Sequence, residues 1–379
     1  MIRSATLNDI DDLVEIENLC FDTDRLSRRS FRYILTKANA ATLVDERKGR
    51  VCGDAVILFK SGTSLARLYS IATHPDYRNH NIGKNLVKAA EDSALEQDCA
   101  YMRLEIRRDN AASIALFEKM GYRQIGIHAD YYEGHVDALR YEKMLAPHLR
   151  PDLVRVPYYQ QTLEFTCGPA ALLMAMHALD DRIDLDRRLE LRLWRESTTI
   201  FMTSGHGGCG PYGLALSAHS RGFYPAIYVK DEAALFVDSV RSEDKKEVIR
   251  LVQDDFREEL EQLKIPINYY ALSVDDLKSQ FQKGGIPVVL ISSYRIYGEK
   301  SPHWVVVTGF DDHFIYVHDP YVDDEKNMSQ TDCINIPIAL KDFERMARYG
   351  RTGQRAALIV RKSGKRQRKP RTQAPEPCK

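Results

Sequence analysis

Arg78-Asn79-His80-Asn81-Ile82-Gly83-Lys84 joins a stretch that alternates like a strand, Leu65–Thr73, to one with helical spacing, Gly83–Gln97. In the latter, Leu86, Val87, Ala90 and Ala94 fall on one side. The first backbone N–H groups of a helix have no partner behind them and carry positive partial charge. A loop that leads into a helix start therefore attracts phosphate, and Arg78 and Lys84 add formal charge here. On its own the stretch reads equally well as a plain strand–turn–helix crossover or as a pyrophosphate loop.

Alternating strand and helix patterns extend on both sides of it, over the first 145 residues. Ile2–Ala5 reads as a strand, and Asn8 or Asp9 caps a helix with Ile10, Leu13 and Ile16 on its apolar face. Thr42–Asp45 and Val51–Phe59 read as strands joined at Lys48-Gly49. Tyr101–Arg107 is a strand, Asn110–Met120 a helix stopped by Gly121, and Tyr122–His128 and Val136–Met144 complete a sheet. Pro147 and Pro151 mark a linker, 147–153, between domains at 1–146 and 154–360.

The second domain has a different inventory. Val154–Tyr159 reads as a short strand, and a helix starts near Cys167-Gly168-Pro169, where proline suits the first turn. Thr203–Pro211 is a Gly-rich loop. Glu243–Leu263 is an amphipathic helix with Val248, Val252, Phe256 and Leu263 inward. Ser273-Val-Asp-Asp276 resembles a capping box. Strands at His303–Gly309 and Phe314–His318 form a hairpin around Asp311-Asp312, which brings His303 and Asp319 to one edge. A thiolate nucleophile is favoured by a nearby imidazole and a helix N-terminus, and Cys167 is placed for both. Asp319 could orient the imidazole, and the amide of Gln161 could stabilise an oxyanion.

Composition narrows the class. Fifty-four Lys/Arg balance 54 Asp/Glu, which gives the body no bulk attraction to nucleic acid or anionic lipid. No membrane span and no signal peptide are expected. The seven cysteines are odd in number and scattered, with no paired ligand spacing. His206 and Cys209 lie close together but lack a second pair, so no metal is expected. These features suit a reducing cytoplasm. From Arg361 to Lys379, eight Lys/Arg face one Glu, with three prolines, which reads as a disordered basic tail.

These residues carry two resemblances. Ile71-Ala-Thr-His-Pro-Asp-Tyr-Arg-Asn-His-Asn-Ile-Gly-Lys84 resembles the acetyl-CoA-binding segment of GNAT N-acetyltransferases, and so does Leu104-Glu-Ile-Arg-Arg-Asp-Asn-Ala-Ala-Ser-Ile-Ala-Leu-Phe-Glu-Lys-Met-Gly-Tyr122. The second stretch looks most like the branch that acetylates ribosomal protein N-termini. The resemblance implies a mixed sheet flanked by helices and acetyl-CoA as co-substrate. It implies that the backbone at Ile71 and Thr73 pairs with the pantetheine arm. Arg78 and the amides of Asn79, Asn81, Ile82, Gly83 and Lys84 would hold the pyrophosphate. Asn110 would touch the cofactor arm or cap its helix, and Glu105 would be the general base. Phe117 stands where the branch often has the tyrosine that protonates the leaving thiolate, so either the thiolate leaves as such or another hydroxyl serves, with Tyr131 and Tyr132 the candidates by proximity.

Gln161-x5-Cys167-Gly-Pro…His303-Trp-Val-Val-Val…His318-Asp319-Pro320 resembles the C39-like, papain-fold peptidases. That implies an α+β domain with a Cys167, His303, Asp319 triad and Gln161 at the oxyanion. Together the two resemblances imply a bifunctional α/β (α+β) enzyme acting on peptides or protein termini. The alternatives are an acetyltransferase whose papain-like half only binds peptide, and an acetyltransferase for small amines.

Overall fold

Met102, Leu104 and Ile106 alternate with Arg103, Glu105 and Arg107, so this strand has one apolar and one charged face. The apolar residues are buried in one core. On the charged face, Arg103 and Glu105 meet the other domain. The structure is a computed structural model that describes all residues except 147, 148, 150, 199–206, 324–327 and 363–379.

The first domain runs β1 (Ile2–Ser4), α1 (Ile10–Cys20), α2 (Arg28–Thr36), β2 (Ala40–Arg47), β3 (Arg50–Phe59), β4 (Leu65–Thr73), α3 (Ile82–Glu96), β5 (Tyr101–Arg107), α4 (Ala111–Lys119), β6 (Arg123–Tyr132) and β7 (Val136–Met144). Its sheet has the order β1-β2-β3-β4-β5-β7-β6. Neighbours are antiparallel except β4 and β5, which pair in parallel over Leu65–Arg67 and Tyr101–Arg103. Their pairing stops there, so the ends of the two strands part. The apolar faces of α1 and α2 build one core with β2 and β3, while α3 packs with Phe117 of α4 on the other. This is the expected mixed sheet with flanking helices. Helix α2 has no counterpart among the expected elements.

The second domain runs β8 (Asp152–Leu153), α5 (Cys167–Leu179), α6 (Arg187–Ser197), α7 (Pro211–Ser220), β9 (Phe223–Val229), α8 (Glu243–Gln262), β10 (Ile267–Asn268), α9 (Val274–Gln282), β11 (Ile286–Ser292), α10 (Tyr294–Tyr297), β12 (Pro302–Phe310), β13 (Phe314–His318), β14 (Ile336–Ala339), α11 (Leu340–Met346) and β15 (Ala356–Lys362). The sheet order is β10-β9-β15-β11-β12-β13-β14, with β8 beside the end of β12. Helix α5 lies against β12 and β11, and β12 is buried from His303 to Phe310, as a strand covered on both faces should be.

Three expectations change. Val154–Tyr159 forms no strand. Pairing is confined to Asp152–Leu153, the last residues of the expected linker, against Gly309 and Phe310. A Cβ on Gly309 would collide with the Asp152 carbonyl, which is why β12 carries glycine there. Helix α8 is rotated from its expected orientation: Ile249, Gln253 and Leu260 are buried, while Val248 and Leu263 are exposed. Gln253 turns inward because both ends of its amide are used, accepting from Leu235 N–H (2.9 Å) and donating to Leu235 O (2.8 Å). Finally, Arg361 and Lys362 of the expected tail close β15. The rest of the tail, part of the linker, and 203–206 of the Gly-rich loop, His206 included, lie outside the described residues.

Candidate functional site

Two sites are built on these frames. In the first domain Asn79 and Asn81 take left-handed backbone geometry (φ 65° and 59°), which asparagine tolerates better than most residues. Asn81 is the residue before α3. The first amide of this turn with a carbonyl behind it is Asn85, bonded to Asn81 O at 3.0 Å, so the amides from Ile82 to Lys84 point out of the helix start. Ile71 and Thr73 pair with Ala55 and Gly53 of β3, and their other edge faces the gap where β4 and β5 part. A pantetheine arm paired with the free edge of β4 and a pyrophosphate on the α3 start fit these residues. Arg78 is exposed at the loop and hydrogen-bonded to Cys20. Asn110 caps α4, accepting from Ser113 N–H at 3.1 Å.

Glu105 and Tyr131 are brought together by Arg67, a residue not singled out in the sequence. Its guanidinium donates to Glu105 Oε2 (2.9 Å) and to the Tyr131 hydroxyl (2.5 Å). Burial, above all, pushes the Tyr131 hydroxyl up to about 12, so it stays protonated at neutral pH. Tyr132 donates to Glu105 O (3.1 Å). Phe117 is core, edge-on to Tyr122 with centroids 5.2 Å apart.

In the second domain Cys167 heads α5 and is half-buried. His303 Nε2 lies 2.6 Å from Asp319 Oδ1. The Cys167 thiol stands beside the same ring and favours its charged form, which leaves Nδ1 to face it. Burial opposes charge on His303, but Asp319 and Cys167 outweigh it and hold the imidazole up at about 10. Burial likewise opposes charge on Asp319, and His303 reverses this, so the carboxyl sits below its ordinary value. Tyr297 donates to Asp319 Oδ2 (2.7 Å) and Tyr321 N–H to Oδ1 (2.9 Å). Gln161 is tied to the same edge, its N–H donating to Pro320 O (2.8 Å). Its side-chain Nε2 donates one hydrogen to Leu163 O (2.9 Å). Trp304 passes under the start of α5, which Gly168 permits: a Cβ there would lie 3.1 Å from the indole.

Glu190 was also missed. It is fully buried on α6 and accepts from Thr162 N–H (2.8 Å), Thr162 Oγ1 (2.6 Å), Thr166 Oγ1 (2.5 Å) and Tyr159 Oη (2.9 Å). It thus clamps the loop between Gln161 and Cys167. No sequence signal marks it, since a glutamate on an amphipathic helix reads as solvated. Glu190→Ala is expected to destabilise the second domain by about 3 kcal/mol, because buried donors would lose a charged acceptor. Urea unfolding followed by tryptophan fluorescence measures this, and an unchanged midpoint would refute the clamp.

His318 is structural. Its ring nitrogens meet Val156 O (2.8 Å) and Asn335 N–H (2.9 Å), and burial pushes it down to about 4. Cys209 is buried, and its carbonyl accepts from the Trp304 indole (3.0 Å). Among the described residues no group of three metal-ligating side chains occurs, and no helix is long and apolar enough to cross a membrane.

Two family models match separate stretches of the chain. Residues 156–361, more than half of the chain, match the model of the Peptidase_C39 like family. Residues 10–122 match that of the acetyltransferase (GNAT) family. A Bacillus subtilis (strain 168) protein assigned to ribosomal protein bS18-alanine N-acetylation is 30% identical over 131 residues, covering 35% of this chain and 85% of that protein. The ribosomal protein bS18-alanine N-acetyltransferase of Escherichia coli (strain K12) is 36% identical over 77 residues, covering 20% of this chain and 52% of the enzyme, about half its length. The crystal structure of the ribosomal-protein-S18-alanine N-acetyltransferase from Escherichia coli is 25% identical, covering 38% of this chain and 94% of that one with a TM-score of 0.36.

Proposed function

Because the chain belongs to the Peptidase_C39 like family through its second half and to the GNAT acetyltransferase family through its first, we propose that it is a bifunctional enzyme acting on peptides or protein termini. One half transfers acetyl from acetyl-CoA to an N-terminal α-amine. The other cleaves a peptide or amide bond through Cys167. The observation that carries this reading is that each half gathers its own reacting groups: Glu105 and Tyr131 around Arg67, and Cys167 with Asp319 around His303.

Acetyl-CoA supplies a thioester carbonyl open to attack by an amine. Glu105 takes a proton from the ammonium so that the amine can attack, and Tyr131 is the hydroxyl placed to return a proton. In the second half, Cys167 Sγ adds to a carbonyl carbon while the Gln161 amide and the N–H groups at the start of α5 face the oxyanion. The C–N bond breaks, and His303 gives its proton to the leaving amine. Water then hydrolyses the thioester and restores the thiol.

The test is acetylation of a hexapeptide with N-terminal alanine, followed by mass spectrometry of both the acetylated and the cleaved product. Glu105→Gln should lower acetyl transfer by about 10²–10⁴-fold, the range of a lost general base. Transfer that survives at the wild-type rate would remove Glu105 from the reaction. Cleavage that persists in Cys167→Ala would remove the thiol from it.

A further inference from the structure

The carboxylate assigned as base is covered by the other domain. Ser329 Oγ donates to Glu105 Oε1 at 3.1 Å. Arg67 occupies Oε2, and is itself held by Asp332 at 3.2 Å. The side chains of Glu105, Arg67 and Asp332 retain only 4%, 5% and 8% of their exposure. An amine can meet Glu105 directly only by taking the place of the Ser329 hydroxyl.

Around this spot, buried hydrogen-bonding groups are unspent. Arg140, the register partner of Glu105 on β7, has buried Nε and Nη1 atoms with no hydrogen-bond partner among the described residues. Such donors are costly to leave unmatched. Backbone carbonyls of an extended peptide would match them, whereas a small amine has none to offer. The covering turn is also joined to the thiol site. Asp319 N–H donates to Cys333 O (2.9 Å), and Gln330 Nε2 donates to Gln160 Oε1 (3.3 Å), next to Gln161.

Resting on the reading of Glu105 as the acetyltransferase base, we propose that the acceptor is a peptide whose N-terminus displaces Ser329 from Glu105 and whose first carbonyls take the free donors of Arg140. The second domain thus supplies one wall of the acetyl acceptor site. Ser329 and Arg140 are then specificity-determining residues, with opposite signs. Ser329 competes with the acceptor, and Arg140 binds it.

The experiment compares steady-state acetylation of the alanine hexapeptide and of n-propylamine by the full chain, Ser329→Ala and Arg140→Gln. Ser329→Ala should lower KM for the hexapeptide about tenfold, and Arg140→Gln should raise it about tenfold, each the worth of a hydrogen bond to a charged group. Arg140→Gln should leave KM for n-propylamine within about twofold, and neither variant should move KM for acetyl-CoA. Transfer that proceeds with hexapeptide KM unchanged in both variants overturns the proposal. If no amine is acetylated by any form, the acetyltransferase reading fails, and the cover is judged separately by carbodiimide coupling of the Glu105 carboxyl, read by peptide mass spectrometry. Coupling about tenfold faster in Ser329→Ala supports the cover, and equal rates overturn it.

Discussion

His303→Ala is expected to slow alkylation of Cys167 by iodoacetamide about a hundredfold at about pH 6, because an ordinary thiol there is less than about 1% thiolate. In the wild type a charged imidazole stands beside Cys167. Its charge is secured by Asp319 at 2.6 Å, and that carboxylate is held in turn by Tyr297 and the Tyr321 amide. Resolving the label cysteine by cysteine provides internal controls, since Cys52, Cys99, Cys209 and Cys333 are buried. Asp319→Asn should also slow labelling, by removing the charge that supports the imidazolium. If Cys167 in the wild type reacts no faster than Cys20, which is also half-buried, the reading of Cys167 as a nucleophile fails.

The same pair fixes a pH dependence. His303 is held at about 10, above its ordinary 6.5. A group whose pKa is raised on folding contributes stability that is complete below the unfolded value and is lost as pH rises through the folded one. The second domain should therefore lose this contribution between about pH 6.5 and about 10, and His303→Ala should flatten that slope.

Legibility in the sequence depends on how local the cause is. β4, β5, β7 and β13 fall where their patterns place them, because period-2 alternation and flanking turn residues are local signals. The left-handed Asn81 and the Ser273 capping box are local too. The orientation of α8 is not, since an amide bonded to Leu235 overrides the apolar stripe. Val154–Tyr159 has the composition of a strand, but the residues it would pair with are already engaged by β11 and β13. Within the thiol site, Cys167, His303 and Asp319 could be read from their spacing. Glu190 and Tyr297 could not, because their partners come from distant segments and their types are ordinary on a helix. The charged face of β5 shows the limit most clearly: a strand reading leaves Arg103 and Glu105 as solvent-facing charges, and only the docking of the second domain shows what they hold.

Arg103→Met is expected to uncouple the two domains. Arg103 is 2% exposed. It donates to Glu142 (2.6 Å) and to three carbonyls of the second domain, Thr331 (2.6 Å), Ile334 (2.5 Å) and Asn335 (3.1 Å). Methionine keeps much of the apolar stem but offers no donor, so the three carbonyls lose their partner and the part-exposed Glu142 loses its ion pair. Removing one member of a buried charged network costs about 3–5 kcal/mol. The rest of the contact includes Tyr101 Oη against Tyr316 Oη (3.0 Å), Ser64 N–H on Pro337 O (2.8 Å), Lys60 Nζ on Asp332 O (2.6 Å) and the Arg67–Asp332 pair (3.2 Å), so the variant weakens the contact without removing all of it. Both tryptophans of the chain, Trp194 and Trp304, lie in the second domain. Tryptophan fluorescence therefore reports that domain alone, while far-ultraviolet circular dichroism reports both. In urea the wild type should give coincident transitions by the two probes, and Arg103→Met should separate them. Coincident transitions at an unchanged midpoint in the variant would show that Arg103 is not what joins the halves. Separation would also bare Glu105, because the carbonyls that Arg103 holds border the turn that carries Ser329 and Asp332. The stability of the interface and the access of an acceptor to the acetyltransferase base are then set by the same few hydrogen bonds.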